Sequence, residues 1–352
     1  MAYTTINKAT DNFNATLYTG NGSSLAVDTG IDLTANGGLC IAKNRSASNK
    51  DWYWVDTVRG ASKTILSNGT GTEQNYTTGI TGFNNNGFQV GSATQTNGSS
   101  NTLVGYNWKA GTSVAGASNT DGSITSTVTA NTTAGFSIVK WTGSGANGTI
   151  GHGLGSVPKA VIVKKLNSSE NWFSYHEPLG NTGRLHLNTT DAVANNSGYW
   201  NSTTPSSSVI YLGSNGGNNA SGDTYLAYCF ADVQGYSKMG SYVGNGNADG
   251  TFVYTGFKPA WVMVKKYSAT ENWQMTDSVR DNNVSPNFAR LMANTADAEA
   301  TNTTWATIEK FSNGFKLGGT DGVSNGSGTS YIYMAFAEAP LVGTNNIPCT
   351  AR

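Results

Sequence analysis

The sequence predicts an all-β protein of three tandem, related β-sandwich units, jelly-roll-like and with long loops, and three observations predict it. The first is composition: 44 of 352 residues are Gly, 11% are aromatic and only 12% are charged. Disordered chains lose aromatics and gain charge, so a Gly/Asn/Ser/Thr-rich chain with this many rings reads as short strands joined by turns. The second is a hairpin pattern that occurs three times. The third is the constant spacing of the blocks around that hairpin.

The clearest hairpin spans residues 259–280, P-A-W-V-M-V-K-K-Y-S-A-T-E-N-W-Q-M-T-D-S-V-R. Trp261, Met263 and Lys265 alternate with Val262 and Val264, a polar turn covers 268–272, and the pattern resumes at Trp273. Residues 158–180 repeat it, and residues 38–60 carry a looser copy. From the hairpin tryptophan (Trp52, Trp172, Trp273) to the next marked position (Asp56, His176, Asp277) is four residues each time. From a later glycine (Gly91, Gly213, Gly318) to the last aromatic (Trp108, Phe230, Phe336) is 17, 17 and 18. Between these blocks the separation is 39, 41 and 45, so length varies in one loop region. Common order with variation confined to loops is the mark of internal triplication.

In order, residues 1–12 form a short polar docking segment, 13–111 sandwich unit 1, and 112–135 a Ser/Thr/Gly-rich link. Unit 2 is 136–232, unit 3 is 236–340, and 341–352 is a C-terminal tail. Helical patterning is scarce; residues 294–300 suggest one short helical turn. The varying stretches 68–81, 188–207 and 294–310 are expected to carry partner contacts, since loops run over the surface and present binding groups on a rigid scaffold.

Lys+Arg 21 balances Asp+Glu 21, which leaves no basic footprint for nucleic acid or an anionic membrane. No apolar run approaches the roughly 20 residues a membrane helix needs, and no secretory leader opens the sequence. Cys40, Cys229 and Cys349 fit neither a disulfide framework nor a zinc pattern, and the first two read as small buried hydrophobes. Three histidines (His152, His176, His186) make no metal set, and neither a calcium loop nor a G-x-S-x-G elbow occurs. No catalytic residue, metal or cofactor is expected.

Two readings attach to the repeated residues. Trp52, Trp172 and Trp273 could stack on sugars, but recurrence in every unit favours core anchors. Asp56 and Asp277 could be glycosidase carboxylates, but recurrence again favours structure: Asp56 with Arg59 and Asp277 with Arg280 read as ion pairs or caps on backbone amides at a hairpin end. Unit 2 departs from the pattern, with His176 and Leu179 in those places.

Five strings carry a family resemblance: M-A-Y-T-T-I at the start, L-Y-T-G-N-G-S at 17–23, W-V-D-T-V-R-G at 54–60, the whole of 119–139, and G-H-G-L-G-S-V-P-K at 151–159. Through them the chain resembles the repeated β-rich virion structural proteins of marine tailed bacteriophages, which are tail-fibre-like. The resemblance implies a virion surface protein, made in the host cytoplasm and working as a homo-oligomer with other virion proteins. A tail-fibre or adhesin role, contacting a host glycan or protein, is expected first. A capsid decoration or cement protein and a polysaccharide-degrading tailspike are the alternatives.

Overall fold

The computed structural model describes residues 3–281, 288–302, 306–343 and 348. Cys349 and residues 303–305 of the third expected contact loop lie outside these. The regular structure is almost entirely antiparallel strand, as the β-branched and aromatic runs between Gly/Asn turns require. In the first third, a six-stranded sheet runs Phe13–Thr19, Thr102–Lys109, Gly38–Asn44, Tyr53–Asp56, Lys63–Leu66, Gln74–Asn75. The last third repeats that order with Ser237–Val243, Ser330–Pro340, Phe257–Lys266, Trp273–Asp277, Phe288–Met292 and Ala300–Asn302. The middle third has it too, as Phe136–Thr142, Thr224–Phe230, Ala160–Lys165, Phe173–His176, Gly183–His186 and Ala194–Asn195.

A small sheet covers the outer face of each large one. In the first and last thirds it has three strands: Leu25–Asp28, Gly87–Val90, Ile80–Asn84, and Asp249–Tyr254, Gly314–Gly318, Thr307–Phe311. In the middle third it has two, Gly148–Gly151 and Val209–Leu212, and a short helix, Ser197–Trp200, precedes the second. Cys40, Ala42 and Val55 of the first large sheet pack with Val27, Ile80, Phe88 and Val90 of its small one. Cys229 is likewise buried, and both thiols are free.

The inner faces of the large sheets do not close separate cores. They meet in one cluster that draws on all three units. Trp108, Phe230 and Phe336, the last aromatic of each unit, touch pairwise at 6.3, 5.5 and 5.8 Å between centroids. This mutual triangle marks a pseudo-threefold axis. Opposite those rings in the register stand Leu39, Ala160 and Trp261, one large residue facing two smaller ones, and the residual space at the centre is only about 20 Å³. That void is walled almost wholly by apolar groups, so it offers a water too few partners.

Several expectations are corrected here. The link at 112–135 is partly sheet: Ala117–Asn119 and Ser126–Asn131 add two strands to the edge at Phe136–Thr142, and Ile124 bridges Ile150 of the small sheet. Ser126 and Thr129 are buried there along with Val128, so polarity does not mark the covered face and composition alone hides the strand. The segment before Phe13 does not project as a docking arm. Ile6 and Ala9 enter the shared core, and the Tyr3 hydroxyl donates to the Gly256 carbonyl. Residues 294–300 form a turn and extended chain rather than a helical turn, because their backbone groups bond to a neighbouring unit.

Candidate functional site

The sequence singled out eight residues, and all eight lie at the junctions between units. Trp52, Trp172 and Trp273 are 1%, 0% and 3% exposed, which removes them from any ligand platform. Each indole N–H donates at 2.9 Å to a carbonyl of another unit: Trp52 to Met292, Trp172 to Leu66, Trp273 to His186. Unit 1 thus grips unit 3, unit 2 grips unit 1, and unit 3 grips unit 2. The ring is closed by a junction between the two units most distant in sequence.

Other bonds repeat in the same cyclic sense. The Lys43 ammonium donates to the carbonyls of Lys50 and Ala296, Lys164 to those of Glu170 and Thr70, and Lys265 to those of Glu271 and Thr190. Burial lowers each of these lysines to about 8, with neighbouring carboxylates opposing the shift. Backbone amides complete each seam: Lys50 to Ala296, Glu170 to Thr70, Glu271 to Thr190, and Glu73 to Leu166, Val193 to Tyr267, Glu299 to Arg45. The leading parts of the expected contact loops are therefore turned inward to the neighbouring unit. Most of the length variation falls before these shared bonds: from the signature tryptophan to the asparagine that accepts its amide is 16, 16 and 21 residues.

The acidic and basic members of the signature form buried ion pairs. Arg59 Nε lies 2.6 Å from Asp56 and Arg280 Nε 2.5 Å from Asp277, with every side chain at most 1% exposed. Both carboxylates also accept the arginine's own backbone N–H. A tyrosine from another unit completes each pair: Tyr228 donates to Asp56 at 2.9 Å and Tyr106 to Asp277 at 2.6 Å. Burial works against ionising Asp277, yet the Arg280 charge and the hydrogen bonds from Tyr106 and Arg280 hold it below the usual carboxylate range. Glu73 and Glu299 take up the remaining guanidinium edges. Such fully engaged carboxylates have no lone pair aimed at a substrate.

The third junction differs in a coordinated way. Unit 3 places Met334 where the others place Tyr106 and Tyr228, two residues before the last aromatic. Unit 2 places His176 and Leu179 where the others have Asp and Arg. Donor, acceptor and cation are replaced together, which leaves no unpaired charge. His176 Nε2 instead bonds the Tyr333 carbonyl at 3.0 Å, and burial pushes its pKa down to about 4.

Sequence reading passed over three asparagines. Asn97, Asn219 and Asn325 are fully buried, and each accepts from a backbone amide of its unit's G-x-G loop (Asn21, Ser144, Asn245). Each also donates to the glycine carbonyl six residues before it, at Gly91, Gly213 and Gly319. The equivalent glycine in unit 3 is thus Gly319 rather than Gly318, and the spacing to the last aromatic becomes 17 in all three units. The signal was available as an Asn eleven residues before that aromatic. A second set, Asn68, Asn188 and Asn294, accepts the amide N–H of the three signature tryptophans.

Among the described residues, no three His, Cys, Asp or Glu side chains gather as a metal site, and no helix is long and apolar enough to cross a membrane. His152 and His186 stand apart, bonded to the Ser206 carbonyl and to Asp191. A family model described as a domain of unknown function (DUF7483) matches residues 8–340. No curated protein and no solved structure matches the chain.

Proposed function

For a chain that belongs to the DUF7483 family over residues 8–340, we propose a non-enzymatic role as a bacteriophage virion surface protein, of tail-fibre or adhesin type, contacting the host surface. The observation that carries this reading is the fate of the repeated residues. Every member of the signature is spent on holding three units in a ring, so the repeated residues of the chain serve rigidity. What remains outside is drawn from a net-neutral chain rich in Asn, Ser and Thr, suited to polar, sugar-rich targets. In the particle it is a homo-oligomer attached to other virion proteins, where repeated weak sites gain avidity.

A decoration or cement role on the capsid is the second reading, favoured by one observation: the pseudo-threefold ring presents three similar faces about one axis, which fits a seat on three equivalent subunits. Antibody labelling of intact particles separates the two. Label on the tail tip that blocks adsorption supports the adhesin, and label on the head supports decoration. Particles that carry no antigen overturn both.

A further inference from the structure

The three units serve as controls for one another, and one face of unit 3 fails the comparison. In the small sheets, Val27 faces Phe88, Ile150 faces Ile210 and Val253 faces Phe315, and all six side chains are buried. The residues on either side of that buried position point outward or toward a cover. They are Ala26 and Asp28 in unit 1, Thr149 and Gly151 in unit 2, and Phe252 and Tyr254 in unit 3. In unit 2 the chain itself covers the place, with Ile124 bridging Ile150 and the Asn119 side chain over Gly151. In unit 3 the two rings stand 45% and 50% exposed. Phe311 adds a third ring 6.2 Å from Phe252, where unit 1 has Asn84.

The strand itself does not require Phe252 and Tyr254, since unit 1 builds the same strand with Ala and Asp. We propose that Phe252, Tyr254 and Phe311 form a stacking platform for a pyranose ring of a surface glycan. The axial C–H bonds of a sugar present a positive edge that matches the negative face of an aromatic ring. Lys238 lies over one face of Tyr254 at 5.6 Å and donates to its carbonyl, which fixes the ring and brings a hydrogen-bond donor to the rim. A protein partner fits poorly. Aromatic side chains bury about 150–250 Å² each, and Phe252 and Tyr254 keep only about half of theirs exposed, so the patch falls well short of the roughly 600 Å² or more that each partner of a stable interface gives up. A sugar ring needs no more than this.

The proposal rests on the host-attachment reading and names the ligand class. The experiment is affinity electrophoresis of the full chain through native gels containing dextran, alginate, xyloglucan or soluble chitosan. Its comparison variant is Phe252→Ala with Tyr254→Asp, which gives unit 3 the residues that unit 1 carries. Retardation of the wild type in at least one gel, lost in the variant while its thermal unfolding is unchanged, is the expected result. No retardation in any gel, or equal retardation of both proteins, overturns the platform. So does a wild-type dimer in sedimentation that the variant abolishes, because the rings would then serve self-contact. Particles carrying the variant that adsorb normally sink the platform and leave the attachment reading standing, whereas particles without the antigen sink that reading itself.

Discussion

The Tyr106 hydroxyl donates to Asp277 across 2.6 Å, joining residues 171 positions apart in sequence. Asp277 is also the partner of Arg280, so one bond ties the first unit to the buried ion pair of the last. Tyr106→Phe removes only that donor and is expected to destabilise the chain by about 1.5–3 kcal/mol, the usual worth of a hydrogen bond to a charged group. Asp277→Ala leaves the buried Arg280 guanidinium with Glu299 as its remaining carboxylate partner and is expected to cost about 3–5 kcal/mol. Urea unfolding of both variants checks the order; equal losses would show that the charge pair contributes nothing beyond the hydroxyl.

Trp273→Ala is expected to lower the unfolding temperature of the whole molecule. Its side chain is buried in a cluster shared by three units, and truncating a buried aromatic costs about 3–5 kcal/mol. Calorimetry should show one endotherm for wild type and variant alike. A separate early transition with a third of the enthalpy would mean that unit 3 unfolds by itself.

Acid should weaken the junction of units 2 and 3. The folded-state pKa of His176 is lowered from 6.5 to about 4, so the unfolded chain binds more protons between those values. Stability contributed by keeping the ring neutral is fully present above pH 6.5 and is lost as pH falls toward 4, by about 3 kcal/mol in all. Protonation would occur at Nδ1, which is buried without a hydrogen-bond partner among the described residues. His176→Gln should flatten the dependence of the urea midpoint on pH across this window, and an unchanged slope would refute the assignment.

The buried lysines act at the other end of the scale. Lys43, Lys164 and Lys265 fall from 10.5 to about 8 on folding, so the unfolded chain again holds the extra protons. Their sign makes stability rise with pH between 8 and 10.5. A wild-type urea midpoint that climbs over this range, and climbs less in Lys164→Met, is the expected outcome. A midpoint that falls instead would contradict the shift.

Much of the strand framework was legible because side-chain alternation and turn chemistry are local. The eight signature residues were legible too, since Trp52, Trp172 and Trp273 recur at fixed distance from Asp56, His176 and Asp277. Their roles were not. Each tryptophan donates to a backbone carbonyl, and a carbonyl leaves no mark on residue identity, so nothing at Leu66, His186 or Met292 announces a partner. The replacement of Tyr by Met334 and of Asp by His176 was readable as two separate oddities. Only the ring places them at one junction. The link strands were missed for a different reason: Ser126 and Thr129 are buried beside Val128, so the polar residues do not mark the solvent face.

Closure through the first and last units has a consequence for synthesis on the ribosome. Trp108 and Phe230 are both made before Phe336, and the wedge between their sheets lacks its third wall until the final hundred residues emerge. The carboxyl-terminal unit is therefore the keystone of an arch. A chain truncated ahead of it would present two greasy walls with no third, a shape that invites a second truncated chain to fill the gap.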